Sequence, residues 1–164
     1  PRVQLLGSGT IFREVIAAAD LLRKDWGVEA DLWGCPSFNE LARNGQDVQR
    51  WNLLHPLEAP KLSHVEKKLK DAKGPVIAAT DYIRMFPEQI RPFVKAPYVT
   101  LGTDGFGRSD TREKLRHFFE VDRHWVTLAA LKALADTGEI EREQVASALV
   151  KYDLDPNKPN PLSV

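Results

Sequence analysis

An excess of charge of either sign is missing from this 164-residue chain: Lys plus Arg and Asp plus Glu stand at 23 each, for a formal net charge of zero. With no global field to steer a polyanion, neither nucleic acid nor an anionic membrane surface is an expected partner. Cysteine is nearly absent. The lone Cys35 excludes an internal disulfide, and it precedes Pro36 with no base beside it, so it reads as a quiet thiol rather than a nucleophile. Neither G-x-S-x-G nor H-E-x-x-H occurs, which removes the commonest hydrolase and zinc-protease patterns. No apolar run of membrane-spanning length and no signal-peptide pattern is present, which points to the cytoplasm. An initiator Met is missing too: Pro1 leads at once into strand-like "VQLL", as expected of a piece of a longer protein.

What is there suits one domain with a real core, since 43% of the residues are hydrophobic. "VQLLG", Val3 to Gly7, reads as a strand, and Ile11, Val15, Ala18, Leu22 and Trp26 follow at helical spacing before Gly27. "VEADLW", Val28 to Trp33, is a second strand. Ser37 with Glu40 predicts a capped helix ending near Asn44-Gly45, then a short helix from Asp47 to Leu54. Ser63 with Glu66 repeats the capping-box spacing ahead of a helix over Val65 to Ala72. "PVIAAT" (75–80) and "YVTLG" (98–102) read as buried strands, with a helix punctuated by Pro87 and Pro92 between them. Three further helices are predicted from Arg112 to Phe119, its start framed by Asp110 and Glu113, from Asp122 to Asp136, and around Val145, Leu149 and Tyr152. Strands alternating with helices predict an α/β three-layer sandwich around a mostly parallel sheet of four to five strands. The single domain is expected over residues 1–154, with 155–164, rich in proline, as an extended tail.

The candidate sites lie in loops. Gly7, Ser8, Gly9 and Thr10 join a strand to a helix, where free backbone N–H groups favour an anion. Phe12 stands where the dinucleotide fingerprint needs its third glycine, so dinucleotide binding is not expected, and a simple helix cap is the plainer reading. Asp81 and Asp104 follow the third and fourth strands, at the edge where open α/β sheets bind ligands, though Asp there also caps turns. "GTDGFGRSD", Gly102 to Asp110, has the wrong spacing for a phosphate loop; its plain reading has Phe106 plugging the core and Arg108 pairing with a carboxylate. The four histidines, His55, His64, His117 and His124, do not show metal-ligand spacing. Trp51, Leu53 and Leu54 form a more apolar face than a short exposed helix needs, and read as a core flap or a subunit contact.

Three stretches together are familiar: "TLGTDGFGRSDTREKLRHFFEVD" (100–122), "FNELARNGQDVQRWNLLHP" (38–56) and "ATDYIRMF" (79–86). They resemble the C-terminal, transketolase-like domain of the homodimeric bacterial pyruvate dehydrogenases, the decarboxylating component of the pyruvate dehydrogenase complex. Asp110 stands where transketolases at large have glycine in D-x-F-G-x-S-G. The resemblance implies a parent enzyme that uses thiamine diphosphate and Mg²⁺, decarboxylates pyruvate and passes the acetyl group to the lipoyl group of dihydrolipoyl acetyltransferase. It implies that this domain braces the homodimer against the other domains of the parent, with no activity of its own. A thiamine diphosphate motif needs G-D-G and a later Asn pair. Here Thr103 precedes Asp104-Gly105 and no Asn pair follows, so no cofactor or metal ligand carries over to this chain.

Overall fold

The computed structural model describes residues 1–164. Its centre is a four-stranded, all-parallel sheet: β1 (Arg2–Gly7), β2 (Glu29–Gly34), β3 (Val76–Ala79) and β4 (Tyr98–Leu101), in the spatial order β2-β1-β3-β4. A 3₁₀ turn over Gly9–Ile11 leads into α1 (Phe12–Trp26). The remaining helices are α2 (Phe38–Leu54), α3 (His64–Leu69), α4 (Met85–Glu88), α5 (Arg112–Phe118), α6 (Arg123–Asp136) and α7 (Arg142–Lys151).

Alternation along the strands divides the apolar residues between two cores, as a sheet covered on both faces requires. Val3, Leu5, Ile77 and Ala79 pack with the buried stripes of α1 and α6 and with Ala148 of α7. Leu6, Val76 and Ala78 point the other way, onto Phe38 and Ala42 of α2, Val65 of α3, and Ile90 and Phe93. Three layers and a parallel sheet are therefore present, with four strands, the lower of the two numbers expected. No helix is long and apolar enough to cross a membrane.

The predicted caps form. The Ser37 hydroxyl accepts from Glu40 N–H, Asp122 accepts from the N–H groups of His124 and Trp125, and Ser63 and Glu66 make a complete reciprocal box. Four predictions need correction. The expected break at Gly45 does not occur; α2 runs through it as one helix. A Cβ on Gly45 would lie 2.2 Å from Cζ of Phe93, so this glycine makes room for a ring and ends nothing. The expected helix between β3 and β4 shrinks to one turn, α4, and a 3₁₀ turn at Arg91–Phe93, because Pro87 and Pro92 cannot supply the N–H groups a continuous helix needs. Thr111 caps α5 through the N–H of Lys114, where Asp110 was expected to frame the start. The last ten residues are not extended: Lys158 N–H bonds to the Asp155 carbonyl and Ser163 N–H to that of Asn160, closing two turns.

Candidate functional site

The strand order reverses between β1 and β3, so the loops after these strands flank the crevice where ligands bind in open α/β sheets. Gly7, Ser8, Gly9, Thr10 and Asp81 all lie there. Side chains tie the two loops together across the crevice. The buried Ser8 hydroxyl meets that of Thr80 at 2.8 Å, and the Thr10 hydroxyl donates to Asp81 Oδ2 at 2.5 Å. Ser8 therefore does not cap the helix with its side chain. Gly9 sits at φ +56°, the left-handed conformation the turn into α1 needs. Gly7 has a separate role: a Cβ on it would lie 2.8 Å from Phe12 Cδ2 and 2.9 Å from Val15 Cγ2. Close strand-to-helix packing, which the dinucleotide fingerprint assigns to its third glycine, is achieved here from the strand side.

The next loop pair is bonded as firmly. Asp104 accepts from Arg84 N–H at 3.1 Å and from Arg84 Nε at 2.6 Å, so both its oxygens are engaged. Thr103 N–H bonds to the Tyr82 carbonyl, and the Thr103 hydroxyl donates to the Asp81 carbonyl. Gly102 lies against this backbone: a Cβ there would be 2.6 Å from Arg84 N. Gly105, at φ +105°, is covered by the chain terminus, with Pro161 O 2.3 Å from where a Cβ would lie. Two further expectations are overturned. Phe106 plugs no core; it is 77% exposed. Arg108 pairs with no carboxylate, and its guanidinium stacks on the Phe118 ring at 4.4 Å.

Beyond these loops a broad cleft of about 540 Å³ is lined by Thr10, Asp81, Arg108, Asp110, Arg112 and Arg116 among others. Arg116 in its wall is anchored to a residue the sequence reading missed. Glu14 is buried and accepts from Arg123 through N–H (3.0 Å), Nε (3.0 Å) and a terminal nitrogen (3.1 Å), and from Arg116 at 3.3 Å. Burial alone would raise its pKa, but the hydrogen bonds and charges of Arg123 and Arg116 outweigh it and hold the carboxyl below its ordinary value. The signal was available: Glu14 stands beside Val15 inside the buried stripe of α1, where an acid must find a partner.

The remaining candidates are structural in their contacts. No three His, Cys, Asp or Glu side chains come close enough to hold a metal ion. His117 Nδ1 lies 3.3 Å from Asp122 Oδ2, His55 stacks on Trp51 at 4.2 Å, and His124 stacks on Tyr152 at 4.8 Å. Burial pushes the Cys35 thiol up to about 11, so it stays protonated at neutral pH. Thiamine diphosphate with Mg²⁺ does not fit this donor set: Asp104, the acid in the motif-like loop, already has both oxygens on Arg84. At the far end of α2, Trp51 is covered on one side by His55 and on another by the Lys61 ammonium, 3.7 Å from the ring centre. Leu53, 78% exposed, and Leu54 stand uncovered beside the fully exposed Leu57, so the core-flap alternative does not hold for them.

Both the sheet and the loops fit one class. The chain belongs to the family of transketolase-like C-terminal domains, whose family model matches residues 1–122. A solved split-gene transketolase, described as an inactive β4 tetramer, shares the fold over 82% of this chain and 39% of its own, with a TM-score of 0.56 at 16% identity. Much nearer in sequence are pyruvate dehydrogenase E1 components. That of Cupriavidus necator is 79% identical over all 164 residues, that of Pseudomonas aeruginosa 63% over 161, and that of Escherichia coli K12 53% over 161. The chain spans 18% of the length of each of these relatives. Identity at this level favours that enzyme over another transketolase relative or a free-standing anion-binding module.

Proposed function

We propose that this chain is the C-terminal domain of a thiamine-diphosphate-dependent pyruvate dehydrogenase, residues 1–154 forming the domain and 155–164 its tail. The parent decarboxylates pyruvate and hands the acetyl group to the lipoyl group of dihydrolipoyl acetyltransferase, in the cytoplasm and within a multienzyme complex. The observation that carries this reading is the 79% identity to an E1 component along every residue of the chain.

Within the parent, the domain braces the homodimer and leaves the chemistry to other domains. The bonded crevice supports this division: Ser8 holds Thr80, Thr10 holds Asp81 and Asp104 holds Arg84. Leu53 and Leu54, with the half-buried Trp51 beside them on α2, are the proposed subunit contact. Calorimetry of this chain with thiamine diphosphate and Mg²⁺ tests the assignment. No heat of binding is expected, and saturable heat that requires Mg²⁺ would assign the chain to a cofactor-binding domain instead.

A further inference from the structure

We infer that the fused loop pair at the carboxyl edge of the sheet, residues 80–86 and 102–112, is the face on which the rest of the parent chain docks. This rests on the E1 reading above, and it locates the brace at a surface that reading leaves unspecified.

Four large apolar side chains stand out from these loops. Tyr82 is 67% exposed, Met85 66% and Phe106 77%, and Ile83 is also exposed. Single exposed apolar residues are ordinary, but here they share one bonded unit. The Arg84 to Asp104 pair, the Thr103 to Tyr82 backbone bond and the close seat of Gly102 join the two loops, and Pro161 backs Gly105 from behind. Tyr82 and Phe86 brace each other, with ring centres 5.3 Å apart. Such a surface loses little conformational entropy on association, because its backbone is already ordered. Tyr, Phe, Met and Arg are also the residue types enriched in the cores of protein interfaces.

Charge defines the partner's chemistry. Arg108 and Arg112 line the adjoining cleft, and neither has a carboxylate within salt-bridge distance in this chain; Arg116 beside them is anchored to Glu14. Asp81 and Asp110 in the same cleft are engaged by the Thr10 hydroxyl and by Thr111 N–H. The complement is an apolar surface bordered by carboxylates. The chain makes up 18% of its E1 relatives, so most of the parent lies outside it and supplies the occupant.

The test is hydroxyl-radical footprinting of this chain alone and of a chimaera in which it replaces the matching segment of the Cupriavidus necator enzyme. Oxidation of Tyr82, Met85 and Phe106 is expected to fall about tenfold in the chimaera, because an interface core excludes water. Val150, 84% exposed on α7, serves as the reference. A second arm places Tyr82→Ser, Met85→Ser and Phe106→Ser together. The isolated chain should still melt cooperatively, losing only the Tyr82 to Phe86 contact, while the chimaera should lose the resistance of this domain to limited proteolysis. Equal oxidation in both proteins overturns the docking face, as does a variant chimaera as resistant as its parent. Pyruvate decarboxylation by the chimaera is scored separately, so an active chimaera with a freely oxidised Tyr82 refutes the docking face alone.

Discussion

Replacing Gly45 by Ala sets two effects of similar size against each other. Gly45 is interior to α2, where Ala is favoured over Gly by about 1 kcal/mol through backbone entropy. Against this, the new methyl would lie 2.2 Å from Cζ and 2.3 Å from Cε2 of Phe93. Relief requires the ring to move by more than an ångström from its place among Val76, Ile90 and Tyr98, in a core that packs like a crystal. Overpacking of this kind costs about 1–3 kcal/mol, so once the helix gain is deducted the net loss is on the order of 1 kcal/mol. In a domain of this size that lowers Tm by about 2–4 °C. The assay is thermal denaturation followed by circular dichroism, with Gln46→Ala as an exposed neighbour that should be neutral or slightly stabilising. Phe93→Leu in the Gly45→Ala background should cost less than Phe93→Leu alone, because the two residues share one volume. A Gly45→Ala variant that melts higher than the parent, with no coupling to Phe93, would refute the packing assigned to α2.

Glu14→Gln should destabilise the chain by about 2 kcal/mol in urea titration, less than for a fully buried pair because Arg123 is half exposed. The folded pKa of Glu14 is depressed, so its stabilisation is complete above the unfolded value near 4.5 and fades as pH falls through the folded one. Between pH 5 and pH 3 the parent should therefore approach the stability of the variant; a gap independent of pH would contradict the ion pairing. Gly105→Ala places a Cβ against Pro161 O at a φ that L-residues avoid. It should free the terminus, seen as faster hydrogen exchange of the Ser163 amide, which bonds to the Asn160 carbonyl, and unchanged exchange would contradict the contact. Cys35, protonated and buried, should react with iodoacetamide at neutral pH at least about tenfold more slowly than free cysteine.

Most of the architecture was legible because it follows from local chemistry. The stripe Ile11, Val15, Ala18 and Leu22 and the boxes at Ser37 and Ser63 each declare an element within a few residues, and these elements form. Failures arose where the reason for a residue lies far along the chain. Gly45 looks like a terminator until Phe93 is placed against it, and the proline-rich terminus looks extended until Pro161 is seated on Gly105. The loop from Gly102 to Asp110 was recognisable as special, yet its composition could not tell an inward Phe106 from an outward one. Candidate residues fared similarly. Position placed Ser8, Thr10 and Asp81 at the switch point, but only the structure shows the bonds across it, Ser8 to Thr80 and Thr10 to Asp81. The family resemblance was carried by long runs of residues, which need no tertiary information.

The most direct test of the central claim is the specific activity of the chimaera in which this chain replaces the matching segment of the Cupriavidus necator pyruvate dehydrogenase E1 component, assayed as pyruvate-dependent acetylation of lipoyl acyltransferase. The account predicts a dimeric enzyme with activity close to that of the parent, and no activity from this chain by itself. A folded, dimeric chimaera without activity, or turnover by the isolated chain, would contradict it.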